Sequence, residues 1–361
     1  MAQRRELFTD FDRLGARAAV HDIVRGCLIG GAVGDALGAA VEFHRWDEIE
    51  AMHGAAGVTD FDIAYDVRGA ITDDTQMTLF TADGLIRARR ARCDPTAAVH
   101  RAYLRWLHTQ GQRDRCAVRD DGWLIAEQRL WSSRAPGTTC LNALAQADAV
   151  AQCARNGSKG CGTVMRVAPI GLMAVDAFDL SRRCSALTHG HPTAQIAGGA
   201  FACLIGSLLR GVELPRAVAD ALEQTRQHER AAHAPAETSA AIEGAVAAAE
   251  LGLARAAQSI ESFGGGWVAE EALAIGIYCA LSASEFADGV LRAVNHSGDS
   301  DSTGAIAGNI LGVVHGYAGI PAHWRETVEL ADVISTLARD MVSPDPADAD
   351  NADARARYPQ A

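Results

Sequence analysis

Lysine is almost absent: of the 33 basic residues, 32 are arginine and only Lys159 is lysine. No Gly-Lys dipeptide exists, which excludes a phosphate-binding GxxxxGK[ST] loop, and any Schiff-base chemistry is confined to one position. Basic charge is in deficit overall, with 45 acidic residues giving a formal net charge of −12. Such a balance repels a nucleic-acid backbone, so free nucleic acid is excluded as an expected partner. The nine cysteines form no CxxC and their number is odd, which argues for reduced thiols in a cytoplasmic protein over a disulfide framework or a zinc ribbon. The N-terminus lacks the apolar stretch of a signal peptide. The longest apolar run, 196–209, falls short of the roughly 20 residues that cross a bilayer, so no membrane association is expected. Aromatics reach only 6%, which leaves the core to Ala, Leu, Ile and Val.

Alternating β-branched runs flanked by turn signals are missing too. What is present is helical period. Met77, Phe80, Gly84, Leu85 and Ala88 recur at steps of three and four, as do Val99, Ala102, Tyr103, Trp106 and Leu107. About a dozen helices are predicted, among them 22–43, 73–91, 95–109, 121–131, 141–154, 192–210, 236–257 and 302–317. Gly26, Gly30, Gly34 and Gly38 repeat every four residues, and Gly304, Gly308 and Gly312 repeat the pattern; both stripes read as faces for close helix packing. No linker divides the chain. The expected organisation is an N-terminal arm (1–20), one all-α domain (21–341) and a polar tail without regular structure (342–361). In the arm, Leu7, Phe8, Phe11 and Leu14 are read as packing on the body.

Three apparent motifs carry no chemistry on this reading. His228 and His233 flank a HERAAH stretch whose spacing of five puts them on different helix faces, unlike the zincin spacing of four. His21-Asp22 lacks partner histidines. Gly264-Gly265-Gly266 follows no strand and is read as a connection.

Two segments stand apart, Ile71-Thr72-Asp73-Asp74-Thr75-Gln76 and His296-Ser297-Gly298-Asp299-Ser300-Asp301-Ser302-Thr303. Each sets two Asp among hydroxyls ahead of a helical pattern. Asp and Ser at a helix start satisfy free N–H groups, but two acids exceed what a cap needs, and clustered carboxylates require a cation or a shared proton. The donors are all oxygen, which favours Mg²⁺, Mn²⁺ or Ca²⁺ over Zn²⁺. Capping and divalent-metal binding both stand on chemistry alone, and spacing does not show that the two segments meet.

Taken together, GCLIGGAVGDALGAAVEF (26–43), ITDDTQ (71–76), GCGTVMRVAPIG (160–171), LTHGHP (187–192), GGGWVAEEAL (264–273) and SGDSDSTGAIAGNILG (297–312) resemble, in order, the motifs of the ADP-ribosylglycohydrolases over roughly residues 22–340. The resemblance implies a compact, single-domain orthogonal bundle of helices around a central di-metal site, holding two divalent cations, Mg²⁺ or Mn²⁺. By the same resemblance the ligands are Thr72, Asp73, Asp74, Asp299, Asp301 and Ser302, with Asp301 bridging, and Glu42 and Asp301 are the catalytic residues. Substrate contacts fall to Gly160, Cys161, Gly162 and Thr163 in a diphosphate-cradling loop, to Arg166 beside it (with Lys159 adding charge), to His189 and to Trp267. The family often has GNG where this chain has Gly160-Cys161-Gly162. Asn295 is expected to shape the second loop, and Asp120 or Asp121 to cap a helix or receive a guanidinium. The implied activity is metal-dependent hydrolysis of the N-glycosidic bond between ADP-ribose and a protein side chain, arginine first, by a bacterial, monomeric enzyme. Alternatives are other ADP-ribose linkages (serine, nucleobase, small molecule) and an immunity-type protein that neutralises an ADP-ribosylating toxin.

Overall fold

The helical period is realised almost throughout. The computed structural model describes residues 7–117, 119, 121–252, 260–343 and 356–359. Its helices in chain order are α1 (Arg17–Gly38), α2 (Trp46–His53), α3 (Asp73–Ala91), α4 (Pro95–Thr109), α5 (Trp123–Ala126), α6 (Thr138–Ala145), α7 (Ala168–Met173), α8 (Ala177–Ser185), α9 (Pro192–Leu209), α10 (Leu214–Ala232), α11 (Glu237–Glu250), α12 (Ala269–Leu281), α13 (Phe286–Val294), α14 (Ser300–Gly319), α15 (Ala322–Arg325) and α16 (Ala331–Val342). Strand pairing among the described residues is confined to the antiparallel hairpin of β1 (Ile63–Ala64) and β2 (Val67–Arg68) and to two isolated bridges. Tyr65 and Asp66 both take positive φ at the hairpin tip, as a two-residue turn matched to strand twist requires.

The predicted helix boundaries depart in several places. The predicted 22–43 helix runs instead from Arg17 to Gly38, so Glu42 lies in the turn beyond it. The span 121–131 breaks after one turn because Glu127 is extended and its side chain accepts from Arg129 N. The predicted 141–154 helix ends at Ala145. Helix α2 has no counterpart among the predicted helices. It is only eight residues long, and Glu48 reaches back to the Arg45 N–H at 2.7 Å to start it. The predicted 236–257 helix runs to Glu250, and its last residues, from 253, lie outside the described ones.

The two glycine stripes find each other. Helices α1 and α14 run antiparallel in the most extensive helix contact of the fold. Gly26 faces Gly312, Gly30 faces Gly308 and Gly34 faces Gly304. A Cβ at any of the six would overlap a carbonyl oxygen of the other helix. A further turn along, Gly38 lies against the backbone of Ser300 and Asp301. This register sets the C-terminal end of α1, with Asp35 and then Glu42, beside the N-terminal end of α14, with Asp299 and Asp301.

Elsewhere the core is aliphatic, with Trp106, Tyr103, Phe80 and Phe201 among its few fully buried large rings. Helix α9 is long and apolar enough to cross a membrane by composition, but 89% of it is buried inside the protein. In the HERAAH stretch, His228 stacks on Phe178 with ring centroids 4.0 Å apart, while His233 ends α10 in a left-handed conformation.

Both ends of the chain bear on the body. In the arm, Phe8 bridges Ala174, Thr9 N donates to Met173 O at 2.7 Å and Phe11 is buried, whereas Leu7 is exposed. Residues 1–6 and most of the tail lie outside the described residues. Within the tail expected to lack structure, residues 356–359 are instead packed, because polar partners await them. The Tyr358 hydroxyl donates to Asp340 Oδ2 at 2.9 Å, Arg357 takes both Asp340 oxygens, and Arg87 donates to the Pro359 carbonyl. Tyr358 is buried, edge-on to Trp123. Tyr358→Ala is expected to lower unfolding stability by about 3–5 kcal/mol, as for other buried aromatic truncations, measured by denaturant melts. A loss within about 0.5 kcal/mol, as at an ordinary surface site, would show that the contact is incidental.

Candidate active site

Helix α3 begins with its capping already supplied. The Thr72 side chain accepts from Asp74 N at 3.3 Å. Asp35, from the last turn of α1, accepts from Thr72 N at 3.0 Å and Thr75 N at 3.1 Å, and from the Thr75 hydroxyl. Asp73 and Asp74 are therefore not needed as caps. Asp73 is tied at one oxygen to Gly137 N, and Asp74 Oδ2 has no partner. At the start of α14 the N-cap residue, Asp299, makes no capping bond; its Oδ2 accepts instead from the Cys161 thiol at 2.8 Å. Asp301 Oδ1 accepts from Ser302 N. Capping thus leaves most of these carboxylate oxygens unexplained.

The two Asp segments meet: the Thr72 side chain hydrogen-bonds to Asp301, whose charge acts on Asp73 and Asp74. One oxygen from each of Glu42, Asp299 and Asp301 lies within 4.8 Å of the others. Asp35, Glu42, Asp73, Asp74, Asp299 and Asp301 are all buried. Burial first, and then repulsion led by Asp301, pushes Asp35 up to about 7 and Glu42 up to about 10. The same two causes hold Asp73, Asp74 and Asp299 well above the ordinary carboxylate range. Among the described residues no Lys, Arg or His forms an ion pair with any of the six. Glu42 Oε2 and Asp74 Oδ2 are buried without a hydrogen-bond partner. Acidic oxygens gathered out of water with no counter-charge and with unsatisfied atoms are a donor set suited to hard divalent cations.

Beside this cluster, residues 160–163 form a tight turn fastened to the Gly-rich connection. Cys161 N donates to Trp267 O at 3.1 Å, Ala269 N to Lys159 O, and Asp299 N to Gly265 O. Cys161 N is thereby engaged, so the expected run of free N–H groups from 160 to 163 is interrupted. Gly160, Gly162 and Thr163 keep their place in the turn. Two of the expected charge donors are corrected. Lys159 pairs with Glu270 and Glu237. Arg166 is fully buried beneath the turn, donating to Thr188 Oγ1 and Cys140 Sγ with its guanidinium over the Tyr103 ring, so it packs against the turn from below. His189 is also buried. Its Nδ1 lies 2.8 Å from Thr188 Oγ1, and its ring packs under Gly160 and Gly162. Burial holds it neutral, at about 3, so it supports the turn from below. Trp267 is 44% exposed and stacks on Phe43, the neighbour of Glu42, at 5.8 Å and 17°. Together the two rings present an aromatic face at the mouth of the site.

Other expectations resolve differently. Asn295 instead clamps the backbone of Val58 and donates to the Leu291 carbonyl of the preceding helix. Asp121 does receive a guanidinium, but from Arg87 of this chain; Asp120 lies outside the described residues. Sequence reasoning misses Asp35 and Phe43. Asp35 sits in GDALG, and its spacing of seven from Glu42 is the available signal.

The family model described as ADP-ribosylglycohydrolase matches residues 16–350. The chain belongs to the ADP-ribosylglycohydrolase family. Its class is thus that of the ADP-ribosylglycohydrolases, and it is a hydrolase. Among its relatives, "ADP-ribosylarginine hydrolase Tri1" of Pseudomonas putida (strain GB-1) is 25% identical over 89% of this chain and 78% of that protein. "ADP-ribosyl-[dinitrogen reductase] glycohydrolase" of Rhodospirillum rubrum is 26% identical over 86% of this chain and 92% of its own length. A solved "ADP-ribosylglycohydrolase-related protein complex" superposes with a TM-score of 0.65 at 24% identity, covering 90% of this chain and 98% of that one; this likeness establishes the all-α fold.

Proposed function

We propose that this ADP-ribosylglycohydrolase cleaves the N-glycosidic bond between ADP-ribose and an arginine side chain, with two divalent cations, Mg²⁺ or Mn²⁺, bound at its carboxylate cluster. The observation that carries the reading is the buried set of Glu42, Asp73, Asp74, Asp299 and Asp301, which has no basic partner among the described residues and retains unpaired oxygens. Thr72, Asp73, Asp74, Asp299, Asp301 and Ser302 would hold the ions, and Asp301, whose charge bears on all the others, would bridge. When bound, the cations supply a Lewis-acid template for the hydroxyls of the distal ribose. A relative named for ADP-ribosylarginine supports the arginine acceptor.

The chain's own groups do the rest. The turn at 160–163 takes the diphosphate by backbone contact, held from beneath by His189 and Arg166. Trp267 and Phe43 stack against a planar part of the substrate. Glu42, buried with Oε2 unpaired, exchanges a proton at that oxygen with the leaving nitrogen. Glu42→Gln keeps the shape but not the titratable carboxyl. It is expected to cut turnover about 10²-fold while ADP-ribose affinity stays within a few-fold; turnover close to wild type would remove Glu42 from the chemistry.

The deciding experiment offers ADP-ribosyl-arginine and ADP-ribosyl-serine peptides with Mg²⁺, with Mn²⁺ and with EDTA. Release of ADP-ribose from the arginine peptide alone, abolished by EDTA, is the expected result. Release from serine only would reassign the acceptor, and release undiminished by EDTA would overturn the metal reading.

A further inference from the structure

One ligand-capable atom in the cluster is not an oxygen. Cys161 stands on the turn at 160–163 with its thiol 2.8 Å from Asp299 Oδ2. Ser302 Oγ, a hydroxyl from the opposite helix, lies 3.6 Å from the same sulfur. The backbone fixes this placement on both sides, since Cys161 N donates to Trp267 O and Cys161 O accepts from Val164 N at 2.7 Å. The sulfur is therefore held at the edge of the carboxylate cluster. Glu42, 7% exposed, keeps Oε2 without a partner in the same cluster, and Asp74, 2% exposed, keeps Oδ2 without one.

We propose that Cys161 makes this centre a mixed oxygen–sulfur site, one that captures a thiophilic divalent ion, Zn²⁺ or Cd²⁺, through Sγ together with Asp299 and the neighbouring carboxylates. The proposal rests on the metal reading of the same cluster. Zinc and cadmium take thiolate and carboxylate together, whereas Mg²⁺ keeps to oxygen. On binding, the S–H bond breaks, the metal–sulfur bond forms from the sulfur lone pair, and the proton leaves to solvent; no oxidant or reductant is involved. Without an ion the thiol keeps its proton on the hydrogen bond to Asp299 Oδ2. A cation beside the sulfur reverses that balance, since a coordinating thiol loses its proton outright. Functionally, a soft ion seated here occupies Asp299 in competition with the hard ions, so the enzyme is open to displacement by zinc at a place where a carboxamide side chain would offer no such grip.

The test uses the full-length protein stripped of metal and titrated with Cd²⁺, followed by the ultraviolet sulfur-to-cadmium charge-transfer band and by proton release in weak buffer. The expected result is a band saturating at one thiolate per chain, erased by excess Mn²⁺. In Cys161→Ser the band is lost and Cd²⁺ affinity falls by about tenfold or more, while Mn²⁺ still raises its thermal midpoint, which shows that the variant is folded. A Cys93→Ser/Cys153→Ser variant, altering thiols away from the site, is expected to keep the band. A band that survives in Cys161→Ser, or one that Mn²⁺ does not displace, overturns the proposal. If Mn²⁺ stabilises the wild type but Cd²⁺ gives no band, the mixed site fails and the metal centre stands; if neither ion binds, the metal reading fails with it.

Discussion

Asp301→Asn is expected to unfold at a higher temperature than the wild type when both are stripped of divalent ions, and to release no measurable ADP-ribose when the ions are restored. The two effects share one cause. Asp301 is the leading source of repulsion on Asp73, Asp74, Asp299 and Glu42, and all of them are buried. An amide keeps the acceptor that serves Ser302 N and offers two N–H groups to the surrounding carboxylates. Removing one of several clustered buried carboxylates relieves the repulsion on the rest, so the stripped variant gains stability. In function the same change removes the group placed to bridge two cations. Turnover is expected to fall by about 10³-fold or more, at or beyond the loss of a single transition-state stabiliser. Thermal unfolding with and without Mn²⁺ checks the first part: Mn²⁺ raises the wild-type midpoint and leaves the variant nearly unmoved. Equal stabilisation of both proteins by Mn²⁺ would place the ions elsewhere. A lower midpoint for the stripped variant would mean that the carboxylates do not strain the fold. Stability given up for function is a general feature of such centres, and here it is traceable to one residue.

The acidic segments are legible in the sequence because their chemistry is local. Two Asp in succession, or separated by one residue, exceed a cap wherever they occur, and the fold supplies the missing half of that argument. Thr72 and Asp35 do the capping at α3, so the other two acids are free for another task. Asp35 itself is not legible as that cap: an isolated Asp near the end of a Gly-rich helix carries no local mark of its partner 37 residues away. Burial decides the roles of Arg166 and His189. Sequence shows a charge next to a Gly-rich turn, but not that Tyr103, Cys140 and Thr188 close over it from other helices and turns. Helix α2 is too short for its period to register. The end of the tail escapes because composition predicts the average of a polar stretch, and Tyr358 is held by the particular positions of Asp340 and Trp123.

Both glycine stripes are visible in the sequence, yet nothing in either names the other as its partner, and that pairing is what assembles the site. Gly34→Ala therefore carries the largest expected structural effect. The added Cβ would overlap the Gly304 carbonyl and press on Ala305 N, and backbone atoms cannot rotate aside as a side chain can. Relief requires α1 and α14 to separate, which loosens the packing at Gly26–Gly312 and Gly30–Gly308 along with it. Overpacking in a core costs about 1–3 kcal/mol when side chains absorb it; a cost of about 3 kcal/mol or more is expected here. The position Gly244 provides the contrast. It lies on the exposed face of α11, where an added methyl would have nothing within 4 Å, so Gly244→Ala should stabilise by about 0.4–1 kcal/mol. The decisive readout is the coupling to metal. Because Asp301 lies less than a turn before Gly304 in α14, and Asp35 adjoins Gly34 in α1, any shift between the helices moves one half of the carboxylate cluster against the other. Mn²⁺ should then stabilise whatever Gly34→Ala protein folds much less than it stabilises the wild type. A Gly34→Ala protein with a wild-type midpoint and an intact response to Mn²⁺ would show that the close approach of the two helices is dispensable and that the site is positioned by its loops.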